Sequence, residues 1–417
     1  MRRFGPGMLV AAAFIGPGTV TTASIAGANF GFVLMWALLL SIIVTFVLQE
    51  MSSRLGIVSG LGLSEALRSS INNHFLKAFL MILIVSALGI GNAAFEVGNI
   101  TGAAIGLSQI SSLSISSSVL IVGILVLILL GTRIFKVLEQ ILTVLVVIMS
   151  LLFLLTMITI EIDYSKLLRG LFIPTVTASS LLTIMALIGT TVVPYNLFLH
   201  ADASKRKWKD QEVTQALNNS RVDTAISIGL GGLITLAIMS TSAVAFFGSS
   251  MEISSENLAR QLEPILGSYS SYIFNFGLFV AGITSAVTAP LAASIAVTEA
   301  LGWKNDPSSF RFKLVWIIIL LIGLLFAYFG TKPLQAILFA QATNALLLPF
   351  LALFLFYVVN NSRLMGSHKN TITINMIALI IIMAVVLLSS YKIFLLIYQR
   401  ASHTWSRHSL GTSCIHP

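Results

Sequence analysis

Apolar runs about twenty residues long, enough to cross a bilayer as a helix, recur throughout this chain. Eleven can be counted, near residues 6–29, 31–52, 77–107, 117–132, 135–160, 177–201, 221–247, 271–300, 312–329, 333–359 and 371–397. A bilayer core offers no water to a broken backbone, so only helices and closed barrels span it. Runs this long select helices, since a barrel strand needs only about ten residues. Composition agrees: of 417 residues, 9% are charged and 57% hydrophobic, with a mean hydropathy of +0.97. A soluble domain carries about 25% charged residues. The expected fold class is therefore an all-α integral membrane protein with about eleven transmembrane helices. One transmembrane domain over residues 1–400 is expected, with a disordered tail over 401–417. The first run starts almost at Met1 and does not read as a cleaved signal, so it is kept as span 1.

The net charge of +9 would suit nucleic acid, but its placement points to topology. With the N-terminus cytoplasmic, 17 of the 24 Lys and Arg fall on the inner side and 7 on the outer. That asymmetry is the positive-inside rule. The run Lys205, Arg206, Lys207 and Lys209 belongs to it, and no nucleic-acid partner is expected. The single cysteine, Cys414, permits neither a disulfide framework nor a cysteine metal site. No nucleophile stands with a base and no phosphate-binding loop occurs, so neither enzyme activity nor a cofactor is expected. The longest connections run near 53–76, 202–220 and 248–270, the last carrying Glu252, Glu256 and Glu263.

Two spans are interrupted where a spanning helix can least bear it. Span 1 contains FIGPGTV, residues 14–20, and span 6 contains IGTTVVPYNLFLH, residues 188–200. Irregular backbone at membrane depth is tolerated only when buried in protein or beside a cavity. The two breaks lie five spans apart, so the second set of five spans enters the membrane inverted. Discontinuous helices at matching positions of two inverted halves are the sequence pointer to a secondary-transporter site. The halves are placed at about 6–160 and 177–359, with an extra helix at 371–397. Ordinary proline kinks are the alternative.

At these residues the chain resembles the NRAMP family of proton-coupled divalent-metal transporters. FGPGMLVAAAFIGPGTVTTASIAGANFG resembles the family's first helix, where the break reads DPGN. VLQEMSSRLGIVSGLGLSEALR resembles its second helix and the loop that follows, and VVPYNLFLHA is similar to the sixth-helix MPHNLFLHS. AGITSAVTAPLAASIAVTEALG resembles the eighth helix, and FAQATNALLLPF with NNSRLMG the tenth helix and its exit. The resemblance implies a leucine-transporter-like 5+5 inverted repeat with broken helices 1 and 6. It also implies an inner-membrane, multi-pass location, alternating access, and a transported ion with protons as partners.

The resemblance implies a substrate site at Ala13, Gly16, Thr19, Thr190, Val193, Tyr195 and Gln341. Gly16 stands at the family's helix 1 Asp, Thr19 at its Asn, Val193 at its Met and Tyr195 at the following His. The carboxylate and the thioether that favours softer metals are therefore both missing. What remains for a metal is the Thr19 hydroxyl with the carbonyls of Ala13 and Thr190. Such a neutral site suits a partly hydrated or hard cation such as magnesium, which takes oxygen ligands and keeps its waters. A monovalent ion, a neutral solute or an anion is the alternative cargo, and a non-transporting membrane sensor a third reading. On the proton side, Glu96 and Asn99 stand where the family has two acids one turn apart, and His200 matches a histidine on the exit path. A carboxylate inside a span is functional by default; a Glu neutralised by hydrogen bonds is the alternative. His200 is read equally as a proton shuttle or a helix-end partner. Asn344 joins Gln341 as a candidate cavity group. Glu50, Arg54, Glu299 and Asp223 are read as ion-pair or interfacial residues, Arg311 and Lys313 as inner anchors. Small residues of span 8, Ser285 among them, are read as packing.

Overall fold

The computed structural model describes residues 5–8, 10, 15–132, 135–330, 332–388 and 390. The described residues fold into helices and their connections. Proline at its first position opens α1, Pro17–Phe30, from an extended Gly16. Proline costs nothing there, because the first N–H of a helix has no intrahelical partner. There follow α2 (Met35–Ser59), α3 (Leu63–Ser70), α4 (His74–Ser111), α5 (Ile115–Gly131), α6 (Phe135–Thr159) and α7 (Tyr164–Phe172). The second half holds α8 (Leu181–Thr191), α9 (Pro194–Lys207), α10 (Val213–Phe246), α11 (Ser270–Leu301), α12 (Phe310–Phe329) and α13 (Pro333–Val359). Last comes α14, Ile372–Leu388.

Eight helices among the described residues are long and apolar enough to cross a membrane, nine if the bent pair ending in α14 counts as one span. The sequence reading has eleven because it includes two shorter pieces. The α5 helix has 17 residues, about 26 Å at 1.5 Å per residue, just under the bilayer core. The α1 helix has 14, because the break at Gly16 ends it early. Four connections are more helical than expected. That at 53–76 holds α3, and that at 248–270 holds the short helices Leu258–Leu262 and Glu263–Leu266. The α10 helix reaches back to Val213, its end closed by both carboxylate oxygens of Glu212. The amphipathic α7 was not anticipated: nine residues are too few for a clear periodicity. Asp163 caps it by accepting the Lys166 N–H. The expected tail 401–417 and the far end of 371–397 lie outside the described residues.

Burial sorts the helices into inner and outer. Every residue of α1 from Pro17 to Ala28 is buried, whichever face it occupies. The apolar window of the span Leu181–Lys207, α8 and α9 together, is 94% buried, against 28% in α6 and 33% in α12. A helix apolar on all sides and buried on all sides belongs in the middle. Outward-facing Ile124, Ile158 and Phe326 are exposed, as lipid contact requires. Glycines let the inner backbones close. Gly27 of α1 lies against the backbone of Met239 and Ala243 on α10, and Gly189 of α8 against that of Gln341 and Ala345 on α13. In membranes, small residues at such crossings replace the hydrophobic drive that lipid cancels.

Candidate substrate site at the helix breaks

Both breaks follow from where proline removes a donor. The α8 helix runs to Thr191, Val192 turns out at φ −95° and ψ 72°, and Val193 at φ −72° and ψ 121° precedes Pro194, which starts α9. Pro194 has no N–H, so the Thr190 carbonyl four residues back receives no helical bond from it. By the same rule Pro17 gives nothing to the Ala13 carbonyl; Ala13 itself lies outside the described residues.

Packing brings the two breaks together. The hydroxyls of Thr19 and Thr190 are hydrogen-bonded at 2.8 Å, across 171 residues of sequence. Gln341 of α13 joins them: its amide fills the space beside Gly18 of α1, and its Nε2 lies 3.0 Å from where a Cβ on Gly98 of α4 would be. Neither amide atom of Gln341 has a hydrogen-bond partner among the described residues, and the side chain is fully buried. Buried groups of this kind are costly unless a ligand or water completes them. Asn344, one turn on, is in the same condition and faces Gly91. Val193 is buried as the N-cap of α9, its carbonyl accepting the Asn196 N–H at 3.0 Å.

A second polar group sits beside this one. Tyr195 is buried with its ring edge-on to Phe95 at 5.5 Å, and its hydroxyl has no hydrogen-bond partner among the described residues. Next to Phe95, Glu96 is fully buried and accepts from Asn99 Nδ2 at 3.2 Å through one oxygen; the other oxygen has no such partner. The Glu96 stem packs on Gly323 of α12, where only glycine leaves room. His200 is also buried. Its Nδ1 donates to Gln49 Oε1 of α2 at 2.9 Å, and Nε2 has no hydrogen-bond partner among the described residues.

Toward the basic face the polar groups become charged. Glu50 pairs with Arg54 at 3.3 Å and with Arg221 at 3.0 Å, and Arg54 reaches the 368 carbonyl and Asn370. Lys205 lies between Glu65, Asp202 and Glu299 at 3.4, 3.5 and 4.0 Å. Asp223 accepts the Gly7 N–H at 2.6 Å. On the opposite face, Gln261 is buried in the 248–270 connection, its amide bonded to Ser24 at 2.9 Å and to Thr241 at 3.3 Å. Sequence reasoning missed Gln261, Gln49 and Asn196. Each is an amide in an apolar or loop context, and no local pattern says which amides turn inward.

No group of three or more His, Cys, Asp or Glu that could hold a metal occurs among the described residues. The site at the breaks consists of hydroxyls, one amide and carbonyls. A separate apolar cavity of about 660 Å³ lies between α4, α12 and α13, lined by Ile90, Ala93, Phe326 and Phe339 among others. Its lining residues Ile90, Phe326 and Phe339 are exposed, and it does not include Thr19, Thr190 or Gln341.

Residues 7–395 match the family model described as natural resistance-associated macrophage protein-like, Nramp. The chain belongs to the Nramp family. A divalent metal cation transporter of Verminephrobacter eiseniae is 28% identical over 384 residues, covering 90% of this chain and 84% of that one. Its counterpart in Acidiphilium cryptum is 26% identical over 373 residues, 87% and 83% of the two chains. These relatives are transporters, not enzymes. Among solved structures, the manganese transporter of Eremococcus coleocola matches with a TM-score of 0.75 at 22% identity, covering 92% of this chain and 84% of that one. Mhp1, a nucleobase-cation-symport-1 family transporter, matches at 0.60 with 14% identity, over 89% and 80%. The likeness establishes a leucine-transporter-like fold for this Nramp chain and makes it a multi-pass membrane protein.

Proposed function

We propose that this Nramp-family chain is a secondary transporter moving a divalent metal cation across the membrane by alternating access, with protons coupled through Glu96. The hydrogen bond between Thr19 and Thr190 carries the reading. It joins the two helix breaks at the buried centre, where the freed Thr190 carbonyl and the partnerless Gln341 amide lie close by. The relatives named above, divalent metal cation transporters, support the cargo class. We read the full architecture as eleven spans in two inverted sets of five plus one, in a bacterial inner membrane with the N-terminus inside.

The selectivity we propose is for a hard or partly hydrated cation such as magnesium, over dehydrated manganese or iron. Gly16 and Val193 stand where the family has a carboxylate and a thioether. The remaining donors, at Thr19, Thr190, Gln341, Tyr195 and Ala13, are neutral. Neutral oxygens return little of the cost of stripping a divalent ion, whereas an ion that keeps waters can present them to hydroxyls and carbonyls. One observation favours a second reading, a neutral solute: the partnerless amide of Gln341 offers both donor and acceptor.

Uptake into proteoliposomes of the purified protein tests this, with magnesium, manganese and calcium offered separately, with and without an inward proton gradient. Uptake of magnesium above manganese, abolished by Thr19→Ala, is the expected result. Folded protein that carries none of the three ions overturns the metal reading in favour of the neutral solute.

A further inference from the structure

We propose that Ser285 of α11 is a specificity-determining residue of the substrate site, its hydroxyl standing where a side chain at position 16 would otherwise project. A Cβ built on Gly16 would lie 2.7 Å from Ser285 Oγ and 3.5 Å from its Cβ. The first separation is closer than carbon and oxygen tolerate, and the second is ordinary contact. So it is the hydroxyl, not the helix behind it, that a side chain at position 16 would meet first and would have to turn aside. Ser285 is buried. Its neighbours Thr284 and Thr288 turn their hydroxyls back onto the carbonyls one turn earlier, at Val280 and Thr284. Ser285 instead faces the break.

The same arrangement recurs two residues on. The space a Cβ would need at Gly18 is filled by the Gln341 amide from α13. Two flanking helices thus push neutral dipoles into room that α1 leaves by carrying glycine. The oxygens of this hydroxyl and this amide accept from O–H donors but carry no charge that would strip a metal of its waters. The cation they fit is one that keeps part of its water shell. This rests on the transport reading above, and it adds that the selectivity is enforced from α11 rather than by a mere absence on α1.

The test uses the full-length protein with manganese as probe. Titration calorimetry compares Gly16→Asp, Ser285→Ala and the double variant with wild type. Gly16→Asp alone is expected to bind manganese weakly, because the Ser285 hydroxyl must turn aside before the carboxylate can reach the site. Adding Ser285→Ala should tighten binding about tenfold or more, the scale of one charge-assisted contact. Gly16→Asp binding manganese as tightly with Ser285 present as without it would overturn the proposal. Should neither Gly16→Asp variant fold, proteoliposome uptake of the wild-type cation decides. Ser285→Ala is expected to lose about tenfold at an unchanged melting temperature, and Ser285→Thr to restore most of it; wild-type uptake by Ser285→Ala refutes the role. If wild type carries no cation, the transport reading fails while the calorimetric comparison still decides on Ser285.

Discussion

Glu96 is the residue whose chemistry is least explained by packing alone. It is fully buried, it holds one hydrogen bond from Asn99, and its stem is accommodated only because Gly323 faces it. A carboxylate kept for structure would be expected to have every lone pair answered, since a half-satisfied buried polar group is worse than an apolar one. Glu96→Gln keeps the shape and an acceptor for Asn99 but removes the proton site. The expected outcome is a folded protein whose uptake no longer responds to a proton gradient; uptake that still follows the gradient places the coupling elsewhere. Glu96 could be picked out in the sequence because a lone acid in an apolar run is conspicuous. Its partners could not, since Asn99 and Gly323 are ordinary residues until packing puts them beside it.

Helix ends decide more here than helix middles. Pro194 breaks α8 from α9 by withholding one N–H. Pro194→Ala returns a donor to the Thr190 carbonyl, a gain of about 1 kcal/mol at most, and it regularises the break. The expected result is an unchanged or higher melting temperature with uptake severely reduced; full uptake would show that the freed carbonyl is not needed. The start of α10 responds to pH instead. Hydrogen bonds from the Thr214 side chain and from the Thr214 and Gln215 N–H groups hold the Glu212 carboxyl below its ordinary range. A pKa depressed by folding contributes stability that is present above the unfolded value, near 4.5. That stability is lost as the pH falls through the lower folded value. The protection of the amides over residues 213–216 against hydrogen exchange, relative to their intrinsic rates, should therefore fall on acidification below about pH 4. In Glu212→Ala that protection should be low at every pH, and a step in protection with pH persisting in that variant would refute the cap. The breaks were legible as Gly and Pro inside apolar runs, the amphipathic α7 was not, and helix boundaries moved by several residues because capping depends on side-chain geometry that hydropathy does not register.

At the scale of the whole molecule, α1 and the α8–α9 stretch form a buried centre ringed by helices that face lipid. The 248–270 connection is held by neutral bonds: Gln261 ties it to Ser24 of α1 and Thr241 of α10, and Ser242 donates to the Ser24 carbonyl at 2.6 Å. Gln261→Ala should loosen that connection. In a Cys414→Ser background carrying Thr21→Cys, a buried α1 position whose hydroxyl makes no hydrogen bond among the described residues, an impermeant thiol reagent should label the Gln261→Ala protein several-fold faster; equal rates would mean that Gln261 does not gate access. The sequence by itself determined the membrane class, most of the spans, the two interrupted helices and the family resemblance. These follow from hydropathy and from the chemistry of proline and glycine, which act through the local chain. Only the tertiary structure decided which neutral groups meet: Thr19 with Thr190, Gln341 beside Gly18, Ser285 against Gly16 and Gln261 under its own connection. Those pairings are set by how close two helices can approach and which way each is turned, and a buried serine or amide is indistinguishable in sequence from one that faces lipid or solvent.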